Sequence, residues 1–309
     1  MAKIKNKKQL IILLVVVFFT VLSLIGEKTG LFDGIFEGLE QTMGGIDELI
    51  NEKEYDFSVH YIDVGQGDCS LVVCDGKYLL IDAGENGHER DVINYLYSQG
   101  VQKLDYIVAS HQHSDHIGGL AEVIEEFGAD TLIMPRLTKE QTPTNSTYTA
   151  FLKAIQNSDL KVVSSKAGAV YNLGSAEFEI LGPVTNDAES LNSMSVVMKV
   201  TYGEKTFLFT GDAEKDEEQE ILGTGADVDC DVLKVGHHGS NTSSSADFLK
   251  AVTPEICVIQ VGEGNDYGHP HKETLKRLEA VGCKIMTTAE SGAVKIRIGK
   301  KIEVYGFVK

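Results

Sequence analysis

After one long apolar run near its start, the chain alternates short apolar runs with amphipathic stretches. Phe57 to Val64 predicts a strand. Ser70 to Val73 and Tyr78 to Ile81 predict a hairpin turning at Asp75-Gly76, a dipeptide suited to the positive φ of tight turns. Glu89 to Gln99 predicts a helix and Leu104 to Ala109 a buried strand. Over His116 to Phe127, residues Ile117, Leu120, Val123, Ile124 and Phe127 fall on one helical face. Thr131 to Met134 reads as a strand and Tyr148 to Gln156 as a helix. Strands follow at Lys161 to Ser164, Ala176 to Leu181, Ser195 to Tyr202 and Thr206 to Thr210. Ala213 to Leu222 is a charged helix, Asp231 to Val235 a strand, Ala246 to Val252 a helix, and Ile256 to Val261 a strand. Lys272 to Val281 is helical, and Lys284 to Thr287, Ala293 to Ile298 and Lys301 to Phe307 close the chain as strands. The alternation predicts one α/β domain of mixed sheets with helices outside, over residues 55–309.

The long apolar run has a different meaning. Lys3, Lys5, Lys7 and Lys8 precede an uncharged stretch from Gln9 to Gly26. A basic flank before such a run reads as a membrane anchor or a secretory signal over residues 1–26. The exit Leu22-Ser23-Leu24-Ile25-Gly26-Glu27 offers no small-x-small cleavage site, which favours an uncleaved anchor. The lysines then stay in the cytoplasm and the rest of the chain faces outward. Residues 27–54 read as an acidic linker, with a short helix near Phe36 to Ile50.

Charge and cysteine content narrow the partners. Against 28 basic residues stand 46 acidic ones, for a formal charge of −18. No basic blanket exists for a phosphate backbone, so any nucleic-acid contact is local or carried by metal ions. The five cysteines, 69, 74, 230, 257 and 283, sit in or beside apolar runs and read as small buried hydrophobes. None shows the spacing of a cysteine-built zinc site.

The histidines carry the chemistry. Ser110-His111-Gln112-His113-Ser114-Asp115-His116 follows an apolar strand directly. Alternate residues of an extended segment point one way, so His111 and His113 can share an ion, while Asp115 and His116 turn onto a helix start and reach a second. Two further groups stand in the same relation to a strand: Gly211-Asp212 after Phe207 to Thr210, and Gly236-His237-His238-Gly239 after Val232 to Val235. Ligands at the ends of several strands predict one cleft. Imidazole and carboxylate without thiolate suit zinc, manganese or iron. Two ions about 3.5–4 Å apart can share a hydroxide and clamp a phosphoryl or carbonyl oxygen.

HxHxDH with a later TGD and GHH resembles the metallo-β-lactamase fold superfamily. Ile62-Asp63-Val64-Gly65-Gln66-Gly67-Asp68, Leu233 to Ser240 and Asn265 to His271 are similar to the extracellular hydrolase domain of the competence DNA-uptake protein ComEC. The resemblance spans about residues 57–309 and implies a four-layer αββα sandwich, here preceded by one N-terminal membrane anchor helix. One long apolar segment points to the hydrolase domain without the transmembrane channel.

By that resemblance, His111 and His113 hold metal one, Asp115 and His116 hold metal two, and Asp212 bridges them. His237 completes metal two, with His238 the competing choice. The middle histidine of many members is missing here, and Asn192 stands in its place. Asp63 or Asp68 orients ligands or serves only the turn around Gly65 and Gly67. Asp115 helps hold the hydroxide, and His269 or His271 protonates a leaving group or belongs to a loop stabilised by Asn265 and Asp266. His60 reads as structural and His88 as a surface residue. The cofactors implied are two divalent ions, zinc or manganese. The function implied is a membrane-tethered extracellular phosphodiesterase or nuclease acting on DNA or RNA. The alternative is a hydrolase of small or cell-envelope phosphoesters, phosphocholine-esterase-like. β-Lactam hydrolysis fits poorly without the middle histidine, and an idle binding module is the reading from another class.

Overall fold

The computed structural model describes residues 56–299 and 301–306. The expected anchor over 1–26, the linker over 27–54 and its helix near 36–50 lie outside the described residues. Among the described residues no helix is long and apolar enough to cross a membrane.

Two sheets face each other. The first has eight strands in the order β15-β14-β1-β2-β3-β4-β5-β6. Its leading members are β1 (Phe57–Tyr61), β2 (Ser70–Cys74), β3 (Lys77–Ile81), β4 (Leu104–Val108), β5 (Ala129–Met134) and β6 (Lys161–Ser164). β14 (Val294–Ile298) and β15 (Ile302–Gly306) complete it. The second sheet has seven strands in the order β13-β12-β11-β10-β9-β8-β7. These are β7 (Val170–Leu173), β8 (Ala176–Ile180), β9 (Met198–Tyr202), β10 (Lys205–Phe209), β11 (Val232–Lys234), β12 (Ile256–Ile259) and β13 (Lys284–Thr287).

Alternation along the strands sends one face of each sheet into a shared interior and the other under helices. Phe57, Val59, Tyr61, Phe178, Val200, Phe207, Phe209 and Val258 fill the space between the sheets. Phe57 stacks on Tyr202 with ring centroids 4.6 Å apart. The outer face of the first sheet is covered by α1 (Glu89–Ser98), α3 (Leu120–Phe127) and α4 (Ser146–Gln156), through Val92, Leu96, Val123, Phe127 and Phe151. The outer face of the second is covered by α5 (Lys215–Thr224), α6 (Ala246–Val252) and α7 (Lys272–Val281), through Ile221, Phe248, Leu249 and Leu278. The four layers are therefore helix, sheet, sheet, helix, as the resemblance implied.

Several local expectations hold for their stated reasons. Asp75 and Gly76 both have positive φ, 50° and 72°, and turn β2 into β3. The helix expected over Tyr148 to Gln156 is present as α4, which begins at Ser146, where Asn145 accepts from the Tyr148 N–H. Others need correction. The helix expected over 116–127 is two pieces, α2 (Ser114–Ile117) and α3, separated at Gly118-Gly119. Side chains there would collide with neighbouring backbone: a Cβ on Gly119 would lie 2.5 Å from the Ala83 carbonyl oxygen. The strand expected to begin at Ser195 begins at Met198, and Asn192–Met194 forms a single tight turn. Strand β7 was not expected at all. Cys257 and Cys283 are disulfide-bonded between β12 and the start of β13, with Cα atoms 6.0 Å apart. That corrects the reading of all five cysteines as lone hydrophobes; Cys69, Cys74 and Cys230 are free and buried.

The topology fixes where ligands meet. β3, β4 and β5 run parallel, as do β10, β11, β12 and β13. Residues just past the C-terminal ends of β3, β4, β10, β11 and β12 carry the polar groups described next.

Candidate metal centre

Asp212 is the hub. Its Oδ1 lies 3.2 Å from His116 Nε2 and 3.6 Å from His238 Nε2. Its Oδ2 lies 3.8 Å from His111 Nε2 and 3.6 Å from His237 Nε2. Asp115 Oδ2 reaches His238 Nε2 at 3.2 Å and His116 Nε2 at 4.0 Å. His111 Nε2 and His113 Nδ1 are 3.0 Å apart. Asp115, His116, Asp212 and His238 each offer one ligand atom within 4.8 Å of all the others.

His237 is the expected partner of Asp115 and His116, with His238 the competing choice; the cluster of candidate ligands contains His238. His238, buried, joins the four-residue cluster, while His237 stands on the other side of Asp212 with His111. The cause is backbone conformation. His237 and His238 both occupy the left-handed region, with φ of 50° and 52°. A non-glycine residue there is uncommon, and two in succession place strain at the site. The pair sends its two imidazoles to different oxygens of one carboxylate.

A layer of fixed groups stands behind the cluster. His116 Nδ1 lies 2.8 Å from Asp82 Oδ2, and Asp82 accepts in turn from the Ser110 N–H at 2.7 Å and the Ser110 hydroxyl at 2.6 Å. His238 Nδ1 lies 2.9 Å from the Gln260 carbonyl oxygen and 3.2 Å from Asp68 Oδ1. A carbonyl only accepts, so Nδ1 of His238 carries the proton and Nε2 faces the cluster. Asp68 also pairs with Lys234, whose Nζ donates to the Gly211 carbonyl at 3.1 Å. Gln260 ties the sheets together, donating to the carbonyls of Cys69 and Ile62 and accepting from Ser70. Ser195 Oγ accepts the Asp212 N–H at 3.0 Å.

The remaining candidates divide. Asn192 and His237 lie side by side, Nδ2 to Nδ1 at 3.5 Å, and the buried Asn192 Oδ1 has no hydrogen-bond partner. His269 lines the cavity beside the cluster; its Nδ1 is buried without a partner. His271 caps α7 and its Nδ1 accepts the Asn241 N–H at 3.0 Å, off the cavity lining. Asp63 accepts the Gly65 N–H at 3.2 Å, which is turn chemistry. Gln66 lines the cavity and accepts from Gly262. His60 is buried between Ser58 and Tyr95, and His88 pairs with Asp91 at the surface.

Carboxylates and imidazoles oppose one another across the cluster. Burial disfavours charge on His116, but Asp212, Asp82 and Asp115 outweigh it and hold that imidazole well above its ordinary range. Burial likewise opposes charge on His238, yet Asp212 and Asp68 push it up to about 10. Asp212 and Asp115 are depressed in spite of burial by the same histidines. Burial lowers His111 and His237, and takes His269 down to about 4 with help from His238 and His237. The inner atoms His116 Nε2, His238 Nε2 and Asp212 Oδ1 are buried and make no aligned hydrogen bond. Buried polar atoms left facing one another in this way fit an ion.

Asp82, Lys234, Gln260 and Ser195 were missed in the sequence. Asp82 carried a readable signal, since it follows the apolar run Tyr78 to Ile81 as Asp212 follows its own strand.

The sequence profile of the Metallo-beta-lactamase superfamily matches residues 62–262. The chain is 28% identical over 265 residues to "ComE operon protein 3" of Bacillus subtilis (strain 168), covering 80% of this chain and 34% of that protein. It is 32% identical over 262 residues to "Competence protein ComA" of Neisseria gonorrhoeae, covering 82% and 35%. The chain thus spans about a third of the length of these relatives. Among solved structures, CmlA, a diiron beta-hydroxylase from Streptomyces venezuelae, superposes with a TM-score of 0.54 at 13% identity, over 79% of this chain and 54% of that one. The last likeness is one of fold alone.

Proposed function

The chain belongs to the metallo-beta-lactamase superfamily, with competence proteins of the ComEC-like branch as its relatives, and from that premise we propose that it is a metal-dependent phosphodiesterase acting on nucleic acid. The observation that carries the reading is the set of buried inner atoms on His116, His238 and Asp212 that make no aligned hydrogen bond, beside a cavity of about 370 Å³ lined by Asp115, Asp212 and His238. Asp115, His116, His238 and Asp212 would hold one divalent ion. His111, His113 and His237, which face Asp212 from its other side, would hold a second, so that His237 would serve where many members use a middle histidine. The N/O donor set suits zinc or manganese.

Divalent ions polarise a phosphoryl oxygen and bring a bound water into the neutral pH range. The protein's own groups do the rest. Asp82 and the Gln260 carbonyl fix the tautomers of His116 and His238. Asp115 accepts a hydrogen bond from the attacking water and aligns it. His269, held down to about 4 and so neutral at pH 7, would offer its ring N–H as a hydrogen bond to the departing oxygen, which takes its proton from solvent and not from the ring. The N-terminal basic flank and apolar run tether the hydrolase unit to a membrane, with that unit outside. The Cys257–Cys283 disulfide accords with an oxidising compartment.

One observation favours a second reading. Among the described residues no lysine or arginine lines the cavity, which suits a small or cell-envelope phosphoester as well as a polymer. A substrate panel separates them: single- and double-stranded DNA and RNA against bis-p-nitrophenyl phosphate and choline-phosphate polymers. Cleavage of the polynucleotides supports the first reading, and choline phosphate release with intact polynucleotides replaces it with the second.

A further inference from the structure

The loop after β12 presents an aromatic ring that the metal chemistry does not use. Tyr267 is 65% exposed, the largest exposure among the large apolar side chains of the described residues. It lines the same cavity as Asp115, Asp212 and His238. Its ring lies against His269, centroids 5.6 Å apart and planes 20° from parallel.

The loop is built to hold it there. Asn265 Oδ1 accepts the N–H groups of Tyr267 and His269, at 3.2 and 3.0 Å. Asn265 Nδ2 donates to the carbonyls of Gly262 and His269, at 2.9 and 2.7 Å. Gly268, with a φ of +70°, makes the reversal between the two rings. The tyrosine therefore stands on a pinned loop, one face on an imidazole and much of its surface in water.

Resting on the nucleic-acid reading of this site, we infer that Tyr267 is a stacking platform for the base of the nucleotide beside the scissile phosphate. Among the described residues no lysine or arginine lines the cavity, so attraction to phosphate inside it rests on the bound ions. Uncharged contact at the cavity rim adds to that affinity. A nucleobase offers a flat face of the right chemistry, and covering Tyr267 removes exposed aromatic surface from water. Such stacking tolerates any base, so the platform selects for the presence of a base and not for its identity.

The test uses the full chain loaded with manganese, and single-stranded oligonucleotides that carry either a normal nucleotide or an abasic one beside a unique cleavable linkage. Wild type is expected to prefer the base-bearing strand. Tyr267→Ala is expected to raise KM for that strand roughly ten- to a hundredfold, with a smaller change in kcat. It should leave KM for the abasic strand near the wild-type value. Tyr267→Trp restores the preference, which a merely structural role of the tyrosine would not predict. Equal KM values on the two strands for wild type and Tyr267→Ala overturn the platform and leave the nuclease reading standing. Failure to cleave either strand while turning over bis-p-nitrophenyl phosphate overturns the nucleic-acid reading itself, and the platform with it.

Discussion

Lys234 forms an ion pair with Asp68 in a place where both side chains are almost fully buried. Asp68 also faces His238 Nδ1, so the pair sits directly behind the candidate metal centre. Removing one partner of a buried pair and leaving the other charge unpaired costs about 3–5 kcal/mol. Lys234→Met is expected to destabilise the metal-free chain in urea unfolding by less than that, because Asp68 keeps His238 as a partner. The double variant Asp68→Asn, Lys234→Met should recover part of the loss.

Asp82 fixes the ring of His116 from outside the cluster. Loss of such a partner weakens metal affinity by about 10–100-fold in comparable sites. Asp82→Asn should weaken binding within that range in a chelator competition, while far-ultraviolet circular dichroism stays that of the wild type. An unchanged affinity would remove Asp82 from the account.

The two consecutive histidines should part in a metal count. His238→Ala is expected to lose the ion held with Asp115 and His116. His237→Ala should keep that ion and weaken the one shared with His111 and His113. Metal analysis after gel filtration, with circular dichroism as a control for folding, checks the difference. The reverse pattern would restore His237 to the cluster with Asp115.

Protons and metal compete for the same atoms. His238 is held up to about 10, and His116 is raised as well, both by neighbouring carboxylates that outweigh burial. Ion binding near pH 7 should therefore release about two protons, one from each ring. Calorimetry in buffers of different ionisation enthalpy counts them. In the metal-free protein a raised group such as His238 stabilises the fold fully below the unfolded value near 6.5, and that stabilisation is lost as pH rises toward about 10. The Tm of the metal-free chain should fall between pH 7 and 10, and saturating metal should flatten that fall.

The parts of the centre legible in the sequence were those that one element carries alone. His111, His113, Asp115 and His116 lie in one run after one strand, and strand and helix periods say which way they face. Asp212 announced itself by following an apolar run into a glycine. What failed was anything set by backbone conformation or by distant partners. The left-handed pair at His237 and His238 has no periodicity to read. Lys234 interrupts an apolar strand, and its partner Asp68 lies far away in the chain. Cys257 and Cys283 meet only because β12 and β13 are neighbours in the sheet. Strand β7 was overlooked because it is a short edge strand, with Val170 and Asn172 exposed and little alternation to betray it. The helix expected through Gly118-Gly119 broke where the loop at Ala83 to Asn86 leaves no room for a Cβ.

The proposed function requires the cluster on Asp212 to hold ions that support cleavage of a phosphodiester. The most direct measurement strips the full chain of metal, adds zinc or manganese, and follows hydrolysis of single-stranded DNA beside an Asp115→Ala variant. The account predicts cleavage that appears only with added metal and falls by at least about a hundredfold in the variant. Cleavage that persists without metal, or that survives the loss of Asp115, would contradict it.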